Sequence, residues 1–384
     1  MFTSRGLGVG SICCLLHSLL VGGSTRQWIA FLGRHVELGG RATIFAPRGP
    51  LAVEARAAGI GVVAFDWADL GDPGHGRRLW RAVAQHDVAV VHWDHRVMEA
   101  FEPALDACGR AALTIHQTPT ALVRWFGPEI LDAIRRPIEL ALDAPNAVAL
   151  VRGRAHARRF ERAFGLAADR LGVLPASIPA GSIPFEPRGT DPVEVLAMTR
   201  LSPDKEAIPR LAVELTRSAL ASGQACRLTV AGEGPWREQA VELCERRLPA
   251  GAWRLEGAPE DPIGRLADSS LVVAQGLTTL EAAALGRRVV VARTSGDDAA
   301  AGAVLTPARY DEAARDPFGE PALTAEPTAL WDEILAVRSG DLREVRRLVE
   351  RHNSLRAAAG ALRKAFAATA PRRWGGATWL RRSA

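Results

Sequence analysis

Short apolar runs alternate with longer amphipathic stretches along most of the chain. In the first half the runs are Ile12–Leu16, Ala42–Ala46, Gly61–Phe65, Val88–His92, Ala112–His116 and Ala147–Val151. They are continuously apolar rather than alternating, which is the pattern of strands buried on both faces of a parallel sheet. Between them Thr25–Leu38, Pro50–Ala58, His75–Gln85 and Val97–Cys108 carry helical periodicity. A second series starts near residue 190, with strands expected at Val193–Thr199, Arg227–Ala231, Trp253–Glu256, Leu271–Ala274 and Val289–Ala292. Strands and helices in this alternation predict an α/β chain of doubly wound parallel sheets.

The chain has 384 residues, more than one hydrophobic core usually serves, so two domains are expected. Leu174–Thr190 holds four prolines and few helix formers and reads as the connection between them. The division predicted is an N-terminal Rossmann-like domain over 1–176, a linker over 177–190 and a C-terminal Rossmann-like domain over 191–355. A C-terminal helix and basic tail over 356–384 would then pack back on the first domain. Asp341–Ala368 reads as one long helical pattern rich in Arg and Ala, and Pro371–Ala384 as a loosely ordered basic end. Two α/β domains of similar size imply a cleft, with ligands at the carboxyl ends of the strands.

Hydrophobic residues make up 48% of the chain and charged ones 24%, which suits globular cores and argues against wholesale disorder. The net charge is +5 and nearly all the basic content is arginine, a balance that favours anionic partners without choosing among them. Cys13, Cys14, Cys108, Cys226 and Cys244 show no metal-binding spacing, and reduced thiols in a cytosolic protein are expected. His17 interrupts the apolar Ser11–Val21 and Gly22-Gly23 closes it, so this is a first strand rather than a secretory signal. No run approaches the ~18 apolar residues of a membrane span. A cytoplasmic setting follows, at most peripheral at the inner face of a membrane.

Four segments at strand ends carry candidate chemistry. Gly22-Gly23-Ser24 lies between the first strand and helix; it suits either a phosphate loop at a helix N-terminus or a tight turn with Ser24 as cap. Arg200-Leu-Ser-Pro-Asp-Lys205 follows the strand Val193–Thr199, and its two cations suit a diphosphate clamp or a solvated loop. Arg227–Arg237 ends in Gly232-Glu233-Gly234-Pro235, where glycines permit a ligand's approach or a plain turn. The stretch Gln275-Gly276 to Gly286 contains a short helix capped by Thr278 or Thr279, with Glu281 about one turn in. There the carboxylate could accept from a ribose diol while the helix start faces phosphate, or merely complement the helix dipole. His92 and His95 stand three apart with no third ligand apparent, so no metal is expected.

Taken in this order, the segments resemble the GT-B glycosyltransferases typified by family 4, over nearly the whole chain from Leu16 to about Phe366. Val21–Arg26 is similar to that family's glycine loop and Arg200–Lys205 to its RLSPEKG segment. Val230–Arg237 resembles its AGxGPxR turn, and Leu277–Val290 its GLPLLEAMACGxPVV helix. The resemblance implies two Rossmann-like domains facing each other across a cleft and a nucleotide-diphospho-sugar donor. Sugar would pass to an unidentified acceptor hydroxyl with retention, and no cofactor or divalent metal would be required.

By that resemblance Arg200 and Lys205 hold the diphosphate and Glu281 the ribose, within a donor site that includes Gly232, Gly234, Gln275, Gly276, Thr278 and Thr279. His116 would stand near the transferred sugar and Gly22–Ser24 on the acceptor or phosphate side. Two features depart from the family pattern. Val273 occupies the place of the first of two family glutamates eight positions apart, and Pro175-Ala176-Ser177 stands where the family favours Pro-Asn-Gly. Val273 suggests a binding protein without catalysis as one alternative; the other is a nucleotide-sugar epimerase, which needs a pair of acidic groups that the sequence does not show. Thr120–Leu142 combines Trp125, Phe126, Arg135 and Arg136; it suits either a membrane-interfacial, lipid-acceptor segment or a core helix pair, with Pro137 interrupting any helix. No clustered basic-aromatic motif outside the tail speaks for nucleic acid.

Overall fold

A computed structural model describes residues 10–20, 22–92, 97, 100–294, 300–315 and 326–369. His95, part of the Val97–Cys108 helix and the Pro371–Ala384 tail lie outside the described residues. The chain divides into two compact units, one of residues 1–175 with 355–384 and one of residues 176–354.

The first unit contains seven parallel strands: β1 (Ser11–Leu15), β2 (Arg41–Ala46), β3 (Gly61–Ala64), β4 (Val88–His92), β5 (Ala111–Thr114), β6 (Ala147–Val151) and β7 (Gly172–Val173). They lie in the order β3-β2-β1-β4-β5-β6-β7, so the sheet reverses direction of growth between β1 and β4. Both faces are covered, as the continuous apolar runs require. Cys13 and Leu15 join one core with Phe101, Ile134 and Phe160. Ile12 and Cys14, alternating to the other face, join Trp28, Ile29 and Leu32. That second core is completed by Ala358, Leu362 and Phe366 from the helix Leu355–Ala367.

Three expectations need correction here. Pro137 does not interrupt its helix, which runs through it from Ile130 to Asp143. A mid-helix proline costs about 3 kcal/mol, but Ile134, Ile138 and Ala141 bury one face of this helix and offset it. The strand before His116 stops at Thr114, which leaves His116 in the loop that follows. Asp341–Ala368 is two helices, Ser339–His352 and Leu355–Ala367. Asn353 divides them: its buried amide donates to Ala176 O at 2.7 Å and accepts from the Tyr310 hydroxyl at 2.6 Å. Those bonds could not form if the backbone stayed helical through this point.

The second unit contains β8 (Val193–Met198), β9 (Cys226–Ala231), β10 (Trp253–Glu256), β11 (Leu271–Ala274), β12 (Arg288–Thr294) and β13 (Ala300–Val304). Their order is β10-β9-β8-β11-β12-β13, all parallel except β13, which runs antiparallel to β12. The small residues of Ala300–Val304 hide that edge strand from a periodicity reading. Here the order reverses between β8 and β11, the kind of point at which open α/β sheets bind ligands. The prolines of residues 174–190 do not leave the segment outside the fold, because Ile178, Ala180 and Ile183 are buried in this unit's core.

Among the described residues all five cysteines are unbridged, and no helix is long and apolar enough to cross a membrane.

Candidate functional site

At the carboxyl end of β8 the chain turns out of the sheet but stays laced to its neighbour. Thr199 N–H donates to Ala231 O at 3.0 Å and Leu201 N–H to Glu233 O at 2.8 Å, while Trp236 N–H returns to Leu201 O at 3.0 Å. Gly232 (φ +151°) and Gly234 (φ +145°) make this possible, since a Cβ on either would overlap the carbonyl oxygen of Thr199 or Leu201. The space these glycines vacate is filled by the protein's own backbone. They form the floor that fixes where Arg200 leaves the sheet.

Beyond Leu201 the charged groups organise one another. Ser202 Oγ donates to Asp204 Oδ1 at 2.6 Å and accepts from Arg200 Nε at 3.1 Å. Arg200 Nη2 lies 3.1 Å from Asp204 Oδ2, with 65% of the arginine side chain exposed. Burial pushes the Asp204 carboxyl up, but the Ser202 hydroxyl and the cations of Arg200 and Lys205 hold it below its ordinary value. It stays ionised and keeps the arginine aimed.

Lys205 is half-buried, and its Nζ donates to Gln275 Oε1 at 3.0 Å, across a separation of 70 residues. Burial lowers the ammonium's pKa, as do Arg200 and Arg293 nearby, against the opposing pull of Asp204. Gln275 is anchored in turn, its Nε2 donating to Ala292 O of β12 at 2.7 Å. The bridge therefore spans β8 and β11, the pair between which the sheet order reverses.

Gly276 follows at φ 67°, ψ −134°, a conformation that only glycine adopts readily. Among the described residues a Cβ there would meet nothing within 4 Å. The helix Leu277–Ala284 starts immediately, with no side-chain cap and no acid in its first turn. The expected threonine cap is thus corrected, since Gly276 holds that position and leaves the first N–H groups for another acceptor. Thr278 is half-buried one place further in. Thr279 is buried with its hydroxyl unpaired among the described residues. Glu281 is half-buried at the fifth helical position.

Arg200, Lys205, Gln275 and the helix start thus belong to one end of one sheet, while Gly232 and Gly234 support them from behind.

In the first unit Gly22 is the cap position of the helix Gly23–Glu37, so Ser24 stands inside the helix rather than capping it. Gly22 is extended at φ −170° and Gly23 is exposed, with no acid in the helix's first turn. His116 is joined by His92, considered above only as a metal ligand, and by Arg152, which belongs to none of the motifs. Arg152 Nη2 donates to His116 Nδ1 at 2.6 Å, and His92 Nε2 lies 3.1 Å from the same atom. His156 Nδ1 accepts from Arg152 N–H at 3.2 Å and its Nε2 donates to Gln117 O at 2.8 Å. Burial holds His116 well below the usual histidine pKa, reinforced by Arg152, His92, His156 and His17. A legible signal existed, because His92 and Arg152 each stand at the end of an apolar run. Among the described residues no three His, Cys, Asp or Glu side chains are placed to share a metal ion.

No protein-family model and no curated sequence matches the chain. Solved structures do. HepE from Anabaena, in complex with UDP-glucose, is similar at 15% identity over 93% of this chain and 99% of that one, with a TM-score of 0.69. A glycosyltransferase from Rickettsia africae is similar at 12% identity, covering 93% and 97%, with a TM-score of 0.66. AviGT4, a glycosyltransferase involved in avilamycin A biosynthesis, is similar at 19% identity with the same coverage and a TM-score of 0.56. At such identities the likeness is one of architecture: this chain has the two Rossmann-like, parallel-dominated sheets of the GT-B fold.

Proposed function

We propose that the protein is a glycosyltransferase that moves a sugar from a nucleotide-diphospho-sugar to an acceptor hydroxyl. One observation carries the reading: Lys205, Gln275 and an uncapped helix start meet at the point where the second unit's sheet reverses order. Two cations beside a helix start that no side chain caps are what a diphosphate needs, most of all while it leaves and its charge grows. When donor binds, Lys205 exchanges Gln275 Oε1 for a phosphate oxygen, and Gln275 stays anchored to Ala292 O. Arg200, aimed by Asp204, meets the same diphosphate from the open side. Glu281 accepts from the ribose diol. His116 serves the sugar and acceptor side, and transfer proceeds with retention and without a divalent metal, in keeping with the family resemblance.

HepE holds UDP-glucose in its crystal structure, so UDP-sugars are the first donors to try. A thermal-shift panel of UDP-, GDP- and ADP-sugars reads binding directly. A donor at 100 times its dissociation constant stabilises the folded state by about 2.7 kcal/mol. In the transfer assay Lys205→Ala lowers turnover at least ~100-fold, and near-normal turnover would remove Lys205 from this role. A second reading, nucleotide-sugar binding without transfer, is favoured by Val273, which is fully buried within β11 where the family's first glutamate would stand. It predicts a donor-induced thermal shift with neither transfer nor hydrolysis.

A further inference from the structure

Four strands of the first unit deliver a basic or imidazole side chain at their carboxyl ends: His17 after β1, His92 in β4, His116 after β5 and Arg152 after β6. The rings of His92 and His116 stand 4.0 Å apart by centroid, those of His17 and His92 6.0 Å apart. Arg152 is only 6% exposed, and no ion pair to it forms among the described residues. Its Nη2 is spent on His116, while its Nη1 is buried with no acceptor among the described residues. A guanidinium has no lone pair, so His116 Nδ1 must be the acceptor in that bond. The neutral ring then carries its proton on Nε2, and this N–H also finds no partner among the described residues.

An interior cluster that served packing alone would not keep such an imbalance. Burying an unpaired charge costs several kcal/mol, and each orphaned donor adds a desolvation penalty of about 1–3 kcal/mol. Two buried donors without acceptors are balanced by one ligand that brings only acceptors and a negative charge.

The geometry points to an oxyanion site in the first unit, in which Arg152 Nη1 and His116 Nε2 hold a phosphoryl or carboxylate group. The site stands on this unit alone. Its assignment to the acceptor, which would then be an anionic molecule, rests on the glycosyltransferase reading above.

The test uses the full chain with ¹⁵N-labelled histidine in an Arg200→Ala, Lys205→Ala background, so that phosphate at the second unit contributes nothing. Inorganic phosphate and, separately, acetate are titrated to tens of millimolar at constant pH and ionic strength. The His116 imidazole resonances, assigned with His116→Gln, are expected to shift saturably. Arg152→Gln should weaken the apparent affinity roughly 10-fold or more, as for a hydrogen bond to a charged group. Should that variant fail to fold, Arg152→Lys keeps the charge and loses the fork, and a several-fold weakening is expected. A response to phosphate alone identifies a phosphoryl ligand, and a response to both extends the class to carboxylates. No saturable shift with either anion, or a shift undiminished by substitution of Arg152, overturns the proposal. No donor is present, so a failure of glycosyl transfer leaves this result standing.

Discussion

Gly232 and Gly22 are both loop glycines beside a candidate site, and their backbones ask for different things. Alanine at 232 would drive its Cβ into the Thr199 carbonyl on backbone at φ +151°. We expect Gly232→Ala to cost at least about 2 kcal/mol, seen as a lower urea midpoint at unchanged slope. Gly22→Ala, extended and with nothing within 4 Å, should stay within about 0.5 kcal/mol. Histidine 156 adds a pH dependence. Burial lowers it from 6.5 to about 3, helped by Arg152 and Arg159 and opposed by its bond to Gln117 O. The folded state therefore holds it neutral while the unfolded chain protonates it below 6.5. Its contribution is fully present above 6.5 and is lost as pH falls toward 3, by about 1.4 kcal/mol per pH unit. Urea unfolding at a series of pH values checks the slope, and a flat profile between 6.5 and 4.5 would contradict it.

At the scale of elements, the helix Leu277–Ala284 is tied down at the end away from its open N-terminus. Arg346 of the helix Ser339–His352 donates to Ala284 O and to Ala180 O, each at 2.6 Å, with Nε on Glu350 at 2.7 Å. A cation at a helix C-terminus satisfies the last carbonyls and the dipole together. Arg346→Met should cost roughly 2 kcal/mol, because two buried carbonyls lose their partners while the volume is kept. The Lys205–Gln275 bridge should persist in that variant, so donor affinity measured well below the melting transition should change far less than stability. A large loss of affinity at full folding would show that the two ends of this helix are coupled. The helix Ile130–Asp143 makes the complementary point: its Pro137 was legible as a breaker from local chemistry, and burial of Ile134 and Ile138 outweighed it.

At the scale of the molecule, the chain enters its second unit at Ala176 and leaves it at Ser354 along adjacent paths, with Ile178 N–H donating to Asn353 O at 2.9 Å. The last described helix then completes the first unit's core through Leu362 and Phe366. Ending the chain after Ser354 would expose the surfaces those side chains cover. At 1.5–3 kcal/mol for each large apolar side chain, the first unit should lose about 3–6 kcal/mol. Hydrogen exchange should quicken in β1, β2 and the helix Gly23–Glu37 while β8, β9 and β11 keep their protection. Equal loosening of both sheets would contradict this division of the core.

Most strand positions were decided by the chain's own pattern, because a run buried on both faces has no polar position to spare; the two-residue β7 and the small-residue edge strand β13 carry no such run. The loops after β8 and β11 were legible for a related reason, as charge and glycine punctuate an apolar run where backbone must leave a sheet. Neighbourhood was not. That Lys205 meets Gln275, that Gly232 and Gly234 support Arg200's loop, and that Arg152 meets His116 all follow from strand order. Periodicity reports which face of its own element a residue takes, and it carries no information on which distant element will cover that face. Only the folded sheets, by setting β8 beside β11 and β6 beside β5, brought those side chains within hydrogen-bonding distance.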